Sequence, residues 1–220
     1  GLFGYTSGAT IENVALEDVN IKGKDYTGGL VGKAVSSTII KDSYATGSVT
    51  GEDWTGGLVG EAISSTITNS YATGKVTGEG DHTGGLVGRA DYLTIENSYA
   101  TGKVTATFSY TGGLVGKAWS STITNSYATG KVTGEGDYTG GLVGLADYST
   151  TENSYATGKV TGEGYYTGGL VGNVWNSTIT NSYWNTETTG QSTSAGGGEG
   201  KSEGKSTEEM MKKETYPSSW

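Results

Sequence analysis

The sequence contains no cysteine, only one proline and only one histidine. Without cysteine there is no disulfide framework and no thiolate metal site. No apolar run approaches the ~20 residues that span a bilayer, so we expect no direct membrane insertion. The chain also lacks an initiating methionine and a three-part signal peptide, and we expect it to be a piece of a longer protein.

Large apolar residues are also scarce, because apolar types make up 33% of the 220 residues while 40 are glycine. That composition does not describe an ordinary globular core. The formal net charge is −9, with a pI near 4.6. Such a chain repels a phosphate backbone as a whole, which excludes nucleic acid as the expected partner.

What the sequence does contain is a tandem repeat. The block Thr-Gly-Gly-Leu-Val-Gly recurs every 28 residues, and Gly1-Leu2-Phe3-Gly4 is a degenerate earlier copy in the same register. The full copies start at Thr27, Thr55, Thr83, Thr111, Thr139 and Thr167. A fixed period of this length is typical of solenoids and related arrays.

Each repeat reads as three short β-rich runs separated by Gly, Asn or Ser-Ser: Gly-Leu-Val-Gly, Thr-Ile-Thr and Lys-Val-Thr. We therefore predict an all-β fold, a parallel β-helix of about seven 28-residue, three-strand turns. Stacked columns of Leu, Val and Ile are expected to form its core. The position after Gly-Leu-Val-Gly varies among opposite charges and is expected to be solvated. One extra residue before Ile39 is expected to bulge outward and to be compensated before Trp54.

The recurring Gly-Gly-Leu-Val-Gly, Ser-Tyr-Ala-Thr-Gly and Val-Thr-Gly segments resemble the GLUG motif (Gly-Leu-Xaa-Gly) repeat family over the chain up to about Gly200. That family occurs in large secreted or surface-attached bacterial and archaeal proteins, including adhesins. It has no shared catalytic residues. The resemblance implies an extracellular or cell-surface repeat region.

The end of the chain departs from the repeat. We predict a β-solenoid domain over 1–185, a Gly/Ser-rich loop over 186–205, and a short helix with a C-terminal cap over 206–220. Ser206-Thr207-Glu208-Glu209 matches a capping box. The helix, with Tyr216 or Trp220, is expected to cover the last turn, whereas the first turn has no comparable cap.

Nothing in the sequence indicates an enzyme. The only histidine, His82, occupies a column that is otherwise aromatic, so we interpret it as a substituted aromatic residue. The Gly-Glu-Gly-Asp loops offer stacked carboxylates that are weak Ca²⁺ candidates, although solvated loops explain them as well. These candidates are Glu79, Asp81, Glu135, Asp137 and Glu163.

A second candidate surface is a Thr-rich face of the kind that some ice-binding proteins use, although a Lys column interrupts it and Thr is a favoured strand residue. Its members are Thr73, Thr77, Thr101, Thr105, Thr129, Thr133, Thr157 and Thr161.

A third candidate is an aromatic stripe that would bind carbohydrate or a partner protein, with Trp119 and Trp175 on a nearby edge. Its members are Tyr26, Trp54, Tyr110, Tyr138 and Tyr166. The alternative is a corner ladder that shields the backbone.

The sequence thus predicts a stalk, adhesin or filament component. Its partner would be a protein or glycan surface, or another copy joined end to end.

Overall fold

A computed structural model describes residues 1–197 and 202–215 of the chain. Every strand pairing in it is parallel, and most pairings join residues 28 apart, which confirms the predicted β-solenoid of about seven turns. Neighbouring turns lie about 4.8 Å apart, as parallel strands do.

Sheet A carries the Gly-Leu-Val-Gly runs and has eight strands. Its strands are Phe3–Ser7, Val31–Val35, Val59–Ile63, Val87–Asp91, Val115–Trp119, Val143–Asp147, Val171–Trp175 and Ala195–Gly197. Sheet B carries the Thr-Ile-Thr runs. Its strands are Thr10–Glu12, Ile39–Lys41, Thr66–Thr68, Thr94–Glu96, Thr122–Thr124, Thr150–Glu152 and Thr178–Thr180.

Sheet C has two columns, one of Tyr-Ala pairs and one of Val-Thr runs, joined in the early turns by the continuous strands Ala15–Lys22 and Tyr44–Gly51. The Tyr-Ala column continues through Tyr71–Ala72, Tyr99–Ala100, Tyr127–Ala128, Tyr155–Ala156, Tyr183–Asn185 and Glu203–Lys205. The Val-Thr column continues through Lys75–Gly78, Val104–Ala106, Val132–Gly134 and Val160–Gly162.

Sheet D consists of two-residue Thr-Gly strands: Thr27–Gly28, Thr55–Gly56, Thr83–Gly84, Thr111–Gly112, Thr139–Gly140 and Thr167–Gly168. The three predicted runs are therefore strands, and each regular turn adds two shorter strands, Thr-Gly and Tyr-Ala. Two-residue strands have too little periodicity to be read from the sequence.

The core consists of the predicted columns. Leu30, Leu58, Leu86, Leu114, Leu142 and Leu170 are all fully buried. The Ile67 and Ala34 columns pack in the same cluster, whereas the buried Val76 column lies outside it, towards sheet D. There the Thr83 side chain occupies the space that a Cβ on Gly78 would need. Glycine at this position thus allows the strands of sheets C and D to approach each other closely.

Residues with left-handed backbone conformation turn the corners. The Asn column Asn69, Asn97, Asn125, Asn153 and Asn181 has φ between 46° and 49°. Asn tolerates this region better than other non-glycine residues, which explains its recurrence. The extra residue of the first full repeat falls at Ser36-Ser37, where both φ values are positive, and the register is regained before Trp54. That expectation is confirmed.

The buried serine next to each of these Asn residues forms a ladder that the sequence reasoning missed. Ser98 Oγ accepts a hydrogen bond from the Ser70 backbone N–H at 3.2 Å and donates to the Glu96 carbonyl at 2.8 Å. The same pattern recurs at Ser70, Ser126, Ser154 and Ser182. Each serine therefore satisfies a backbone group that the corner leaves without a strand partner.

The C-terminal end is covered. Helix α1 (Thr186–Thr189) follows the last Tyr-Ala position, and Trp184, 5% exposed, packs in the core cluster where earlier turns have alanine. Thr188 Oγ1 and Gln191 Nε2 donate to the carbonyls of Thr157, in the segment before the last strand of the Val-Thr column, and of Val160, in that strand.

The segment predicted as a Gly/Ser-rich loop, 186–205, differs from that expectation. Besides α1 it contains Ala195–Gly197 and Glu203–Lys205, which extend sheets A and C by a partial eighth turn. The predicted capping box is present at Ser206 and Glu209, and it begins helix α2 (Thr207–Met210), followed by a 3₁₀ turn at Lys213–Thr215. Tyr216 and Trp220 lie outside the described residues. At the other end, Leu2 and Tyr5 are exposed.

Candidate functional site

The aromatic stripe predicted from the sequence is a continuous stack. Tyr26, Trp54, His82, Tyr110, Tyr138 and Tyr166 occupy successive turns at one corner, with φ between 52° and 66°. Neighbouring rings are nearly parallel, with centroids 4.6 to 6.1 Å apart. Because the ring faces contact one another, a sugar ring has little access to a face within the stack.

His82 stacks between Trp54 and Tyr110, as expected for a substituted aromatic residue. Burial, with a smaller contribution from the nearby charges of Arg89 and Lys117, lowers its pKa to about 3. The ring is therefore neutral at pH 7. A general base needs a pKa near the working pH, and His82 does not have one.

The column after Gly-Leu-Val-Gly is more buried than the predicted solvated face. Glu61 is only 4% exposed, and its carboxylate pairs with Lys33 Nζ at 2.6 Å and approaches Arg89 Nε at 3.9 Å. Arg89 also pairs with Asp91, at 2.8 Å. The hydrogen bond to Glu61 raises the pKa of Lys33. The expectation of a solvated face is thus wrong at Glu61, because the aromatic stack stands beside this column, with Lys33 Nζ 4.6 Å from the Tyr26 ring centroid.

Two positions further along four successive strands of sheet A, acidic and aromatic residues alternate, whereas the two strands before them carry Val35 and Ile63 there. Asp91, Trp119, Asp147 and Trp175 are in register on successive turns. Trp175 is 63% exposed, and Tyr148, next to Asp147, is 61% exposed. Asp147 Oδ1 is buried, and no donor among the described residues reaches it.

Sequence reasoning found the two tryptophans of this column but missed Asp147. The available signal was the alternation of Ala-Asp-Tyr with Ala-Trp-Ser and Val-Trp-Asn at the 28-residue period. Asp147 has no charged neighbour in sequence, so only the strand register shows that it lies between two tryptophans.

The Thr-rich face is partly assembled. Thr77, Thr105, Thr133 and Thr161 are in register on the Val-Thr column. Thr105 Oγ1 and Thr133 Oγ1 are buried, however, so these hydroxyls do not face the surface. Thr73, Thr101, Thr129 and Thr157 lie in the segments that link the Tyr-Ala and Val-Thr columns, apart from the strand itself. The exposed Lys column runs between the two Thr ranks.

The acidic loops use their aspartates for backbone contacts. Asp81 Oδ1 accepts the N–H of Ser109 at 2.9 Å, and Asp137 Oδ1 accepts the N–H of Tyr165 at 2.7 Å. Glu79, Glu135 and Glu163 are exposed. Within residues 1–197 and 202–215, no three acidic or histidine side chains are grouped closely enough to hold a metal ion.

Comparison with known families identifies the repeat. The GLUG motif matches five tandem segments, residues 25–50, 55–77, 80–105, 109–133 and 135–161, which together cover more than half of the chain. The chain belongs to the GLUG motif family. A search of curated proteins found no match.

The GLUG segments contain most of the aromatic stack, the Asn corners and the Ser ladder. Trp119 and Asp147 lie inside the fourth and fifth segments, whereas Trp175 and the C-terminal cap lie beyond the last. The GLUG solenoid is a structural repeat and is not a known enzyme family. Among the described residues, no helix is both long and apolar enough to cross a membrane.

Proposed function

We propose that this GLUG solenoid is a structural and adhesive region of a larger extracellular or cell-surface protein. It would act as a spacer whose outer columns contact a protein or glycan surface. We propose a non-catalytic role, which the placement of the one histidine inside an aromatic stack supports.

The observation that supports the proposal is the difference in variability between the core-facing columns and the columns on the other face of the strands. Inward columns of Leu, Val and Ala are almost invariant from turn to turn and fully buried. On the other face of sheet A the residues change from turn to turn, as in the series Lys33, Glu61, Arg89, Lys117, Leu145 and Asn173, of which Glu61 and Leu145 are buried and the other four are partly exposed. A fixed scaffold with a variable surface suits a spacer or binding rod, in which weak contacts add up along the axis.

The experiment is to display the chain on a non-adherent bacterial cell and to measure attachment to host cells and glycan-coated surfaces. A matched variant lacks residues 83–138, two whole turns, so that its strands can pair again in register. We expect the full chain to promote attachment and the shortened chain to promote it less. Attachment no greater than that of an unrelated stalk of similar length would contradict the adhesive role.

Two alternatives have less support. Ice binding needs ordered, outward-facing hydroxyls, and the buried Oγ1 atoms of Thr105 and Thr133 work against it. Carbohydrate binding by the aromatic stack is disfavoured because its ring faces are occupied by one another. A Ca²⁺ role for the acidic loops stays a prediction, as does end-to-end association through the exposed first turn.

A further inference from the structure

The alternating column on sheet A contains two aspartates in equivalent positions but in different electrostatic surroundings. Asp91 lies one turn before Trp119, and Asp147 lies one turn after it. Each is followed by an exposed tyrosine in left-handed conformation, Tyr92 at φ 51° and Tyr148 at φ 49°. The two sites therefore share backbone, register and one tryptophan.

They differ in the residue two positions earlier on the same face of the strand. At Asp91 this residue is Arg89, whose Nη2 lies 2.8 Å from the carboxylate. At Asp147 it is Leu145, which is buried and carries no charge. Asp147 Oδ1 is nonetheless buried, and no cation or donor among the described residues contacts it. A buried carboxylate oxygen without a partner is costly and favours a cationic ligand.

The flanking rings favour the same ligand chemistry. The register places Trp119 and Trp175 on either side of Asp147, one turn away in each direction, so a group above Asp147 lies about 5 Å from each neighbouring strand. Cations bind aromatic faces, tryptophan best, within ~6 Å of the ring centroid. Trp175 and Tyr148 are both exposed, and Asp147 as a whole is half-buried, so solvent reaches this part of the surface although Oδ1 itself is covered.

We propose that Trp119, Asp147 and Trp175, with Tyr148 beside them, bind an organic cation through an ammonium or guanidinium group. The Asp147 carboxylate pairs with the charged group, and the aromatic rings contact the apolar substituents of the ligand. In the Asp91 site the chain supplies that group itself, through Arg89. The cation comes either from a Lys or Arg side chain of a partner protein or from a small quaternary ammonium compound. The proposal does not depend on the surface location proposed above.

Other ligand classes fit less well. Ca²⁺ takes six to eight oxygen ligands, and one carboxylate is too few. A neutral sugar can stack on tryptophan, but its hydroxyls carry no charge to pair with the Asp147 carboxylate.

The test is a titration of the full chain in which NMR monitors the tryptophan indole N–H signals. The probes are tetramethylammonium, a short lysine peptide, a short arginine peptide and an uncharged oligosaccharide, each against sodium chloride at equal ionic strength. We expect the signals of Trp119 and Trp175 to move with the cationic probes, while those of Trp54 and Trp184 stay. Tighter binding of tetramethylammonium indicates a small-molecule ligand, and tighter binding of the peptides indicates a protein partner.

Two substitutions distinguish the effect of the Asp147 charge on binding from any effect on folding. Asp147→Asn keeps the shape and is expected to weaken binding about tenfold or more, the scale of a lost desolvated cation contact. Leu145→Arg copies the Arg89–Asp91 pair and is expected to abolish binding by filling the site from within. Trp54→Tyr, in the aromatic stack, serves as the control and should bind like the unmodified chain.

Indole signals that respond to the oligosaccharide but not to the cations would overturn the proposal in favour of a glycan site. Undiminished binding by Asp147→Asn would also overturn it. If Leu145→Arg fails to fold, as judged by circular dichroism, the Asp147→Asn result still decides.

Discussion

The imidazole of His82 stacks on the phenol ring of Tyr110, with ring centroids 4.7 Å apart and planes 12° from parallel. The contact places a titratable ring in a column that is otherwise uncharged at neutral pH. Burial then keeps the imidazole neutral far below the pH at which a free histidine takes up a proton.

This stack predicts a pH-dependent stability that one substitution removes. The pKa of His82 falls from 6.5 in the unfolded chain to about 3 in the folded one. As the pH falls, the unfolded state therefore binds the proton first. The stability that neutral His82 contributes is at its full value above pH 6.5 and is lost as the pH falls towards 3. In His82→Tyr, the free energy of unfolding relative to the parent should rise by about 2–3 kcal/mol between pH 7 and pH 4.

Urea unfolding of both chains across that pH range measures the difference, and the shared carboxylates cancel in it. A difference that does not vary with pH would mean that His82 takes up a proton as readily in the folded chain as in the unfolded one.

The close stacking of turns predicts that a single methyl group is too much at Gly85. A Cβ there would overlap the carbonyl oxygen of Gly113 and lie 2.8 Å from Ala100 Cβ. Gly85→Ala should lower the free energy of unfolding by about 1–3 kcal/mol, as overpacking does. Gly4→Ala is the matched control, because nothing lies within 4 Å of a Cβ there. Equal melting temperatures for the two variants would contradict the packing.

The serine ladder predicts a cost for removing one hydroxyl. Ser98→Ala leaves the buried Ser70 N–H without its acceptor, and we expect a loss of about 1–3 kcal/mol. The exposed Ser7 gives the control, since Ser7→Ala should change stability by less than about 0.5 kcal/mol. Hydrogen exchange at the Ser70 amide reports the same bond directly. Unchanged protection there would show that the hydroxyl is dispensable.

The sequence alone predicted the fold because the fold is periodic. Once Leu30 and Leu58 are 28 residues apart, parallel stacking places them in one column, and both are fully buried as expected. The two-residue strands escaped notice because Thr-Gly and Tyr-Ala look like turns in isolation. Their β-structure comes from pairing with their own copies.

The candidate sites were harder to predict because their character depends on neighbours 28 residues away. Glu61 looked solvated by its own sequence, yet Lys33 and Arg89 enclose it from the adjacent turns. Asp147 gave no local signal at all. The C-terminal cap departs from the period, so nothing in the repeat indicated that 186–205 would form further strands.

The cap predicts unequal roles for two tryptophans. Trp184 is buried in the core cluster, and its Nε1–H donates to the Gln191 carbonyl at 2.9 Å, whereas Trp175 is 63% exposed. Trp184→Ala should lower stability by about 3–5 kcal/mol and promote aggregation by loosening the cover over the last strands. Trp175→Ala should leave the melting temperature nearly unchanged. Thermal unfolding with light scattering measures both effects. Similar melting temperatures and scattering for the two variants would contradict the role of Trp184 in covering the end of the core.

The repeat itself predicts that a whole turn can be removed. Deleting residues 83–110 joins His82 to Thr111, the same kind of junction that His82 makes with Thr83. The strands on either side then meet in register, and Glu61 faces Lys117 where it had faced Arg89, so its charge stays paired. We expect a folded rod shorter by about 5 Å. The slope of its unfolding free energy against urea concentration should be smaller, in proportion to the buried surface that the deletion removes.

Deleting residues 83–96 instead, half a turn, is the control. It offsets all later strands by half a turn, so that Leu114 would stack on Ala72 of the Tyr-Ala column instead of on another leucine, and we expect it not to fold. Because turns contribute nearly additively in a solenoid, the whole-turn deletion should lose stability without losing cooperativity. If the two deletions behaved alike in circular dichroism and urea unfolding, stacking in register would not be what holds this chain together.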